Sequence, residues 1–239
     1  MLSEFIDPYV IKARYAPALL TLFPLIIFLS LVLNKLNFGN TTILFISILE
    51  GLVFPLFISE ICRNYGTKLE RKNYDKWGGK PTTILLRMSD DSFDDVTKSR
   101  LYDYIGSQFS IDLKSDNSDR NISNAINRIK SIFHKKNDSL LDKHNVEYGY
   151  VRNLAGCNKI LFVESFILLV ITTVYIIYNK SYQSAFYESI SVICFFLLSL
   201  ALSIILGRWV YPEMVKDRAF RYARTLIESY YREVNDSIK

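Results

Sequence analysis

The chain has 239 residues, half of them hydrophobic, and its 29 Lys and Arg against 24 Asp and Glu leave a net charge of +5. The apolar residues are concentrated in four stretches, 15–33, 42–59, 160–178 and 189–206, that carry almost no charge. At roughly 1.5 Å of rise per residue, a helix of about 18 residues nearly crosses a hydrocarbon core of about 30 Å, which excludes an ordinary water-soluble globule.

The expected fold is therefore an all-α membrane protein in which two transmembrane helical hairpins flank a mainly helical cytosolic domain. Residues 1–59 form an N-terminal segment and the first hairpin, 60–159 the cytosolic domain, 160–206 the second hairpin and 207–239 a C-terminal helix. Charge sets the orientation. Eighteen Lys and Arg lie between Arg63 and Lys159 and seven follow from Arg208 onward, whereas the loops inside the hairpins hold only Lys35 and Lys180. By the positive-inside rule, both termini and residues 60–159 face the cytoplasm.

Lys12 and Arg14 precede the first apolar stretch as in a secretory signal, but Leu31-Val32-Leu33-Asn34 offers no small-residue cleavage pattern, so the stretch is expected to be retained. Pro17 near its start is harmless, whereas Pro24 sits mid-span and is expected to kink the helix unless a neighbour satisfies the freed carbonyl. Asn34 to Thr42 reads as a tight outer turn. The second stretch holds Glu50, with Gly51 beside it. A carboxyl at mid-membrane costs about 2.5–3.5 kcal/mol facing lipid, so it is expected to face another helix, a second subunit or a wet cavity. Its readings run from a protonated, hydrogen-bonded carboxyl to a pore-lining or proton-coupled group. Glu60 and Glu164, near the inner ends of their spans, read as interfacial pairs. Cys62, Cys157 and Cys194 lie in or on the cytoplasmic side of the membrane, and no disulfide framework is implied.

From Ile61 the second stretch continues as a polar stem to Trp77. Between Arg63 and Arg87 seven basic residues face two acidic ones, a local excess of +5. Attraction to anionic headgroups accounts for such a stem, and so does an anionic ligand bound where the stem ends. There Trp77-Gly78-Gly79-Lys80-Pro81-Thr82-Thr83 interrupts it. The spacing is not that of a phosphate-binding P-loop, and Pro81 follows the lysine. Two glycines nonetheless free the backbone for a close approach, and Lys80, Thr82, Thr83 and Arg87 supply donors suited to phosphate. A plain turn with hydroxyl caps for the next segment uses the same residues.

Ser89 to Asp95 is an acidic loop, favoured by the dipole of the helix it precedes; its spacing matches no known cation loop. Helix 94–109 places Leu101, Ile105 and Phe109 on one stripe. Helix 119–135 aligns Ile122, Ala125, Ile126, Ile129, Ile132 and Phe133. Residues 110–116 read equally as a short strand or a loop. His134 and His144 have no ligand-type neighbours at metal spacing, and no nucleophile signature occurs, so neither an enzyme nor a bound metal or cofactor is expected.

Asn145 to Leu154 leads into the third stretch with Tyr148, Tyr150 and Arg152. It reads as an interfacial anchor, or as a partner of the Trp77–Arg87 turn in which Tyr148 or Trp77 stacks on a base while Lys80, Arg87 and Arg152 hold phosphates. After Gly207-Arg208-Trp209, a tail helix aligns Val215, Ala219, Tyr222, Leu226 and Tyr230, a stripe that must be buried on the central domain or a second subunit.

At Trp77–Thr83 and Tyr148–Leu154, and in its paired hairpins around a cytosolic insert, the chain resembles the four-transmembrane effectors of CBASS anti-phage systems, encoded beside cyclic-oligonucleotide synthases. The resemblance implies a protein of the bacterial inner membrane, a homo-oligomer in the lipid bilayer. Its cytosolic part would bind a cyclic oligonucleotide rather than a nucleic acid duplex, and its spans would then breach the membrane. The competing readings are a constitutive channel or proton-coupled transporter built on Glu50, a membrane-anchored enzyme, and a membrane scaffold.

Overall fold

In hydrocarbon a backbone can satisfy its N–H and C=O groups only within its own helix, or in a closed barrel, so long apolar stretches fold as helices. The computed structural model describes residues 8–35, 46, 51, 53–133, 138–178 and 183–238, and the side chains of all of these except 8, 34, 35, 183–189, 237 and 238. Every regular element among them is helical. Helix α1 (Ala16–Lys35) follows a short helical turn at Pro8–Val10 and a π-helical turn at Ile11–Tyr15. Then come α2 (Phe54–Trp77), α3 (Pro81–Leu85), α4 (Asp95–Phe109), α5 (Asp119–Phe133), α6 (Ser139–Tyr178) and α7 (Gln183–Ile205). A second π-helical turn, Leu206–Val210, leads into α8 (Tyr211–Ile238).

Three helical segments, Ile11–Leu33, Ser139–Tyr178 and Ile190–Asp236, are long and apolar enough to cross a membrane. In the second and third of these, only 17% of the most apolar window is buried within the protein. A surface so apolar and so uncovered requires hydrocarbon around it. Among the described residues the candidate crossings thus number three rather than the four read from hydropathy. Half of the stretch 42–59 falls outside those residues, and α2, which begins at Phe54, turns polar after Cys62. The expected outer turn at 34–42, Glu50 and His134 also lie outside the described residues or, for Asn34, the described side chains.

The chain divides into two compact units, Met1–Leu69 with Gly149–Val215, and Glu70–Tyr148 with Lys216–Lys239. In the first, small residues let helices approach closely. A Cβ on Gly156 would come within 2.7 Å of the Gly66 Cα, and one on Gly66 within 3.0 Å of the Arg152 carbonyl oxygen. One turn away, Cys62 and Cys157 are bridged across the same crossing, with their Cα atoms 5.0 Å apart. Spacing alone does not reveal this bridge, because the two cysteines are 95 residues apart and only the α2–α6 crossing brings them together. Asn153, fully buried, donates to the Ala13 carbonyl at 2.7 Å. That carbonyl lies in the π-helical turn, where the helical ladder is locally broken.

Next to the mid-span Pro24 of α1, the Leu25 amide donates to the Glu164 side chain at 2.8 Å, so Glu164 takes up a backbone N–H instead of forming an interfacial ion pair; the carbonyl that the proline frees is a different group. Glu60 does take the pairing expected of it, with Arg14 at 3.5 Å and Arg63 at 3.4 Å.

The second unit is built on the stripes read from the sequence. Leu101 and Ile105 of α4 and Ile122, Ala125, Ile126 and Ile129 of α5 are buried together with Leu85, Leu86 and Leu113. Leu226, Ile227 and Tyr230 of α8 complete this core, so the tail covers its apolar stripe on the domain between the spans, and both belong to one folded unit. The acidic loop ends in an N-cap: Asp94 accepts from the Thr97 amide at 2.9 Å and its hydroxyl at 2.6 Å. Residues 110–116 form a turn, not a strand. Ser110 adopts the left-handed conformation at φ 58°, and Asp112 accepts from the Lys114 amide at 2.9 Å.

Removing a buried leucine from such a core typically costs about 2–5 kcal/mol. Leu226→Ala is expected to lower the melting temperature of the detergent-solubilised chain well below that of the exposed-site control Glu228→Ala. Equal melting of the two variants would show that α8 does not close this core.

Candidate functional site

The stem helix α2 stops because two successive glycines take backbone conformations that other residues avoid. Gly78 has φ 81° and Gly79 φ 145°, and the Gly79 amide turns back to the Tyr74 carbonyl at 2.8 Å. Lys80 then occupies the N-cap position of α3 with Pro81 in the first turn, and its carbonyl receives the amides of Thr83 and Ile84, each at 2.9 Å.

Arg87 locks this turn. Its Nη2 donates to the Gly78 carbonyl at 2.7 Å, while Nε and Nη2 form a bidentate pair with Asp119 of α5 at 2.9 and 2.7 Å. The guanidinium lies over Gly79, where a Cβ would meet Nη2 at 2.8 Å. Glycine is favoured there by φ, and a Cβ would also displace the Arg87 guanidinium. The Arg87 hydrogen bond holds the Asp119 carboxyl below the usual carboxylate range, and the same bond raises the Arg87 guanidinium.

Beside the turn opens a cavity of about 390 Å³ lined by Tyr74, Asp75, Gly78, Gly79, Lys80, Thr83, Asp119 and Ser123. Lys80 is exposed and has no salt-bridge partner among the described residues. Lys130 of α5 senses the charges of both Lys80 and Glu70. Desolvation, and then the repulsion of Lys80, push its ammonium below the ordinary lysine range, while Glu70 opposes the shift. The ammonium sits 5.9 Å from the centre of the Tyr222 ring. Tyr222 stacks on Tyr148, whose hydroxyl donates to Glu70, and Glu70 also accepts from Tyr74 at 2.6 Å.

The residues singled out from the sequence fare differently in this arrangement. Lys80 and Thr83 line the cavity. Thr82 and Thr83 are both buried, the Thr83 hydroxyl 3.5 Å from that of Ser123. Arg87 is committed to Asp119 and Gly78. Trp77 packs edge-on against Tyr74 and Phe220, with ring centres 6.2 and 5.9 Å away. Tyr148 does not line the cavity; it is buried, stacked on Tyr222. Arg152 belongs to the first unit and donates to the Asn153 side chain at 3.3 Å. Three residues were missed: Glu70, Asp119 and Lys130. Lys130 sits on the polar face of an amphipathic helix, where a solvent-facing lysine and a site lysine look the same.

Chemically, the pair of ammonium groups suits an anion, and the carboxylates of Asp75 and Asp119 at the cavity suit a ligand that also carries hydrogen-bond donors. Among the described residues no group of His, Cys, Asp and Glu could hold a metal ion. Comparison of the chain with protein-family models, with curated proteins and with solved structures finds no match.

The Arg87–Asp119 contact has a definite pH sense. Because Asp119 is lowered in the folded chain, its stabilisation is complete above the unfolded carboxylate pKa, about 4, and fades as pH falls through the lower folded value. Asp119→Asn is expected to reduce stability modestly at neutral pH, by about 1 kcal/mol for so exposed a pair, and to flatten the acid limb of the melting profile. An unchanged acid limb would show that the pair does not hold the turn.

Proposed function

We propose that this chain is a non-enzymatic membrane effector whose second unit binds a small anionic signal at Lys80 and Lys130 and passes the change to its membrane-crossing helices. The observation that supports the reading is the cavity at the end of the stem, with Lys80 on its wall and without a salt-bridge partner among the described residues. Helices α2, α6 and α8 run without a break through the boundaries between the two units, so strain at the cavity has continuous rods along which to travel.

In its finer form the proposal follows the CBASS resemblance. The signal is a cyclic oligonucleotide, residues 42–59 supply a fourth crossing to make two hairpins, and the chain lies in a bacterial inner membrane with both termini and residues 60–159 in the cytoplasm. Copies of the chain assemble, and the membrane becomes permeable. The ligand must bind one arrangement better than the other, because only a difference in affinity shifts an equilibrium. The competing channel reading hangs on Glu50, which lies outside the described residues.

Titration of the detergent-solubilised full chain with a panel of cyclic di- and trinucleotides, reading melting temperature and particle size, tests the proposal. At least one member of the panel is expected to raise both. Lys80→Ala with Lys130→Ala should weaken it by about a hundredfold, on the scale of two charge-assisted hydrogen bonds. In liposomes, dye release should depend on the same ligand. Release without any ligand, or a double variant that binds as the parent does, would defeat the proposal.

A further inference from the structure

A second cavity, of about 480 Å³, opens between α6 and the end of α7 in the first unit, remote in sequence from the glycine turn. Its position is fixed by a polar latch. The Asn158 amide donates to the Ser203 carbonyl at 2.9 Å, and the Ser203 hydroxyl donates back to Asn158 Oδ1 at 3.1 Å. A Cβ on Gly207 would collide with the same amide, so the glycine in the π-helical turn lets the latch close. With Asn158 and Ser203 satisfying each other, the cavity is left with two kinds of surface. Phe162, Val163 and Ile204 give an apolar wall, and Lys159 and Arg208 supply two positive charges.

Those charges have no ion-pair partner among the described residues, and no carboxylate lines the cavity. They also stand at a particular depth. Lys159 immediately precedes the apolar run 160–178 and Arg208 closely follows 189–206, so both mark the same end of two membrane-crossing helices. Trp209, 62% exposed next to Arg208, is the residue type favoured at headgroup level. A soluble anion would satisfy the cations but leave the apolar wall in contact with water. A molecule with a phosphate at one end and hydrocarbon at the other satisfies both.

We propose that this cavity is a binding site for an anionic phospholipid, its phosphate held by Lys159 and Arg208 and an acyl chain lying along Phe162, Val163 and Ile204. The site is separate from the one assigned to the nucleotide signal, and its occupancy does not depend on that assignment.

The test uses the full chain in nanodiscs of phosphatidylcholine, with and without phosphatidylglycerol, reading melting temperature together with the lipids retained in native mass spectrometry. Phosphatidylglycerol is expected to raise the melting temperature and to be retained in preference to phosphatidylcholine. Lys159→Gln with Arg208→Gln should reduce that preference by about tenfold while melting as the parent does in pure phosphatidylcholine. Ile204→Trp, which fills the apolar wall and leaves both cations, should also expel the retained lipid, so the two variants report on the two halves of the site independently. Inorganic phosphate alone should leave the melting temperature unchanged. Equal retention of the two lipids, a double variant with the parent's preference, or a phosphate effect as large as that of phosphatidylglycerol would overturn the assignment.

Discussion

Helices in a bilayer gain nothing from hiding apolar surface from water, because their surroundings are already apolar; they associate through close backbone packing and a few polar contacts. In this chain close backbone packing of that kind occurs where α6 meets α2, just before the apolar run 160–178 begins and after α2 has turned polar. Gly66 and Gly156 let two backbones approach to a distance that no side chain tolerates, and the Cys62–Cys157 bridge spans the helices one turn away. Both helices continue into the second unit, α2 ending at the glycine turn and α6 carrying Tyr148, which stacks on Tyr222.

Beside ring contacts such as Phe23–Phe195 and Phe28–Phe196, the first unit holds polar contacts suited to that environment. Asn153 reaches a carbonyl in a π-helical turn, Glu164 meets the amide beside Pro24, Asn158 and Ser203 exchange hydrogen bonds, and the hydroxyls of Ser165 and Ser199 lie 2.8 Å apart. Each takes up hydrogen-bonding capacity that lipid cannot. The second unit follows the opposite rule. It folds as a water-soluble helical domain does, by burying leucine, isoleucine and tyrosine stripes, with arginine and lysine left for its surface and its cavity.

Much of this was legible in the sequence, and what was legible shares a cause. Period and hydropathy are local, so the apolar runs at 15–33 and 160–178, the stripe through Ile122 and Ile129, the tail stripe through Leu226 and Tyr230, and the Asp94 cap could all be read directly. The glycine turn at the end of the stem could also be read, because Gly78 and Gly79 announce a conformation by their type. What was missed depends on distant residues. Arg87 looked like a phosphate donor until Asp119, 32 residues on, claimed its guanidinium. Tyr148 looked like an open aromatic until Glu70 and Tyr222 enclosed it. Glu164 looked interfacial because its partner is a backbone amide, which sequence does not display as a binding group.

The rest depends on apolar helices threading a bilayer while the polar helical unit stays in water. Single-cysteine labelling of the full chain in sealed membrane vesicles, with the native cysteines replaced by serine, tests it most directly. A cysteine at Val170 should resist a water-soluble maleimide from either side, whereas one at Ser107 should react completely from one side and not at all from the other. Free reaction at both positions, or recovery of the intact chain in the aqueous fraction without detergent, would contradict the account.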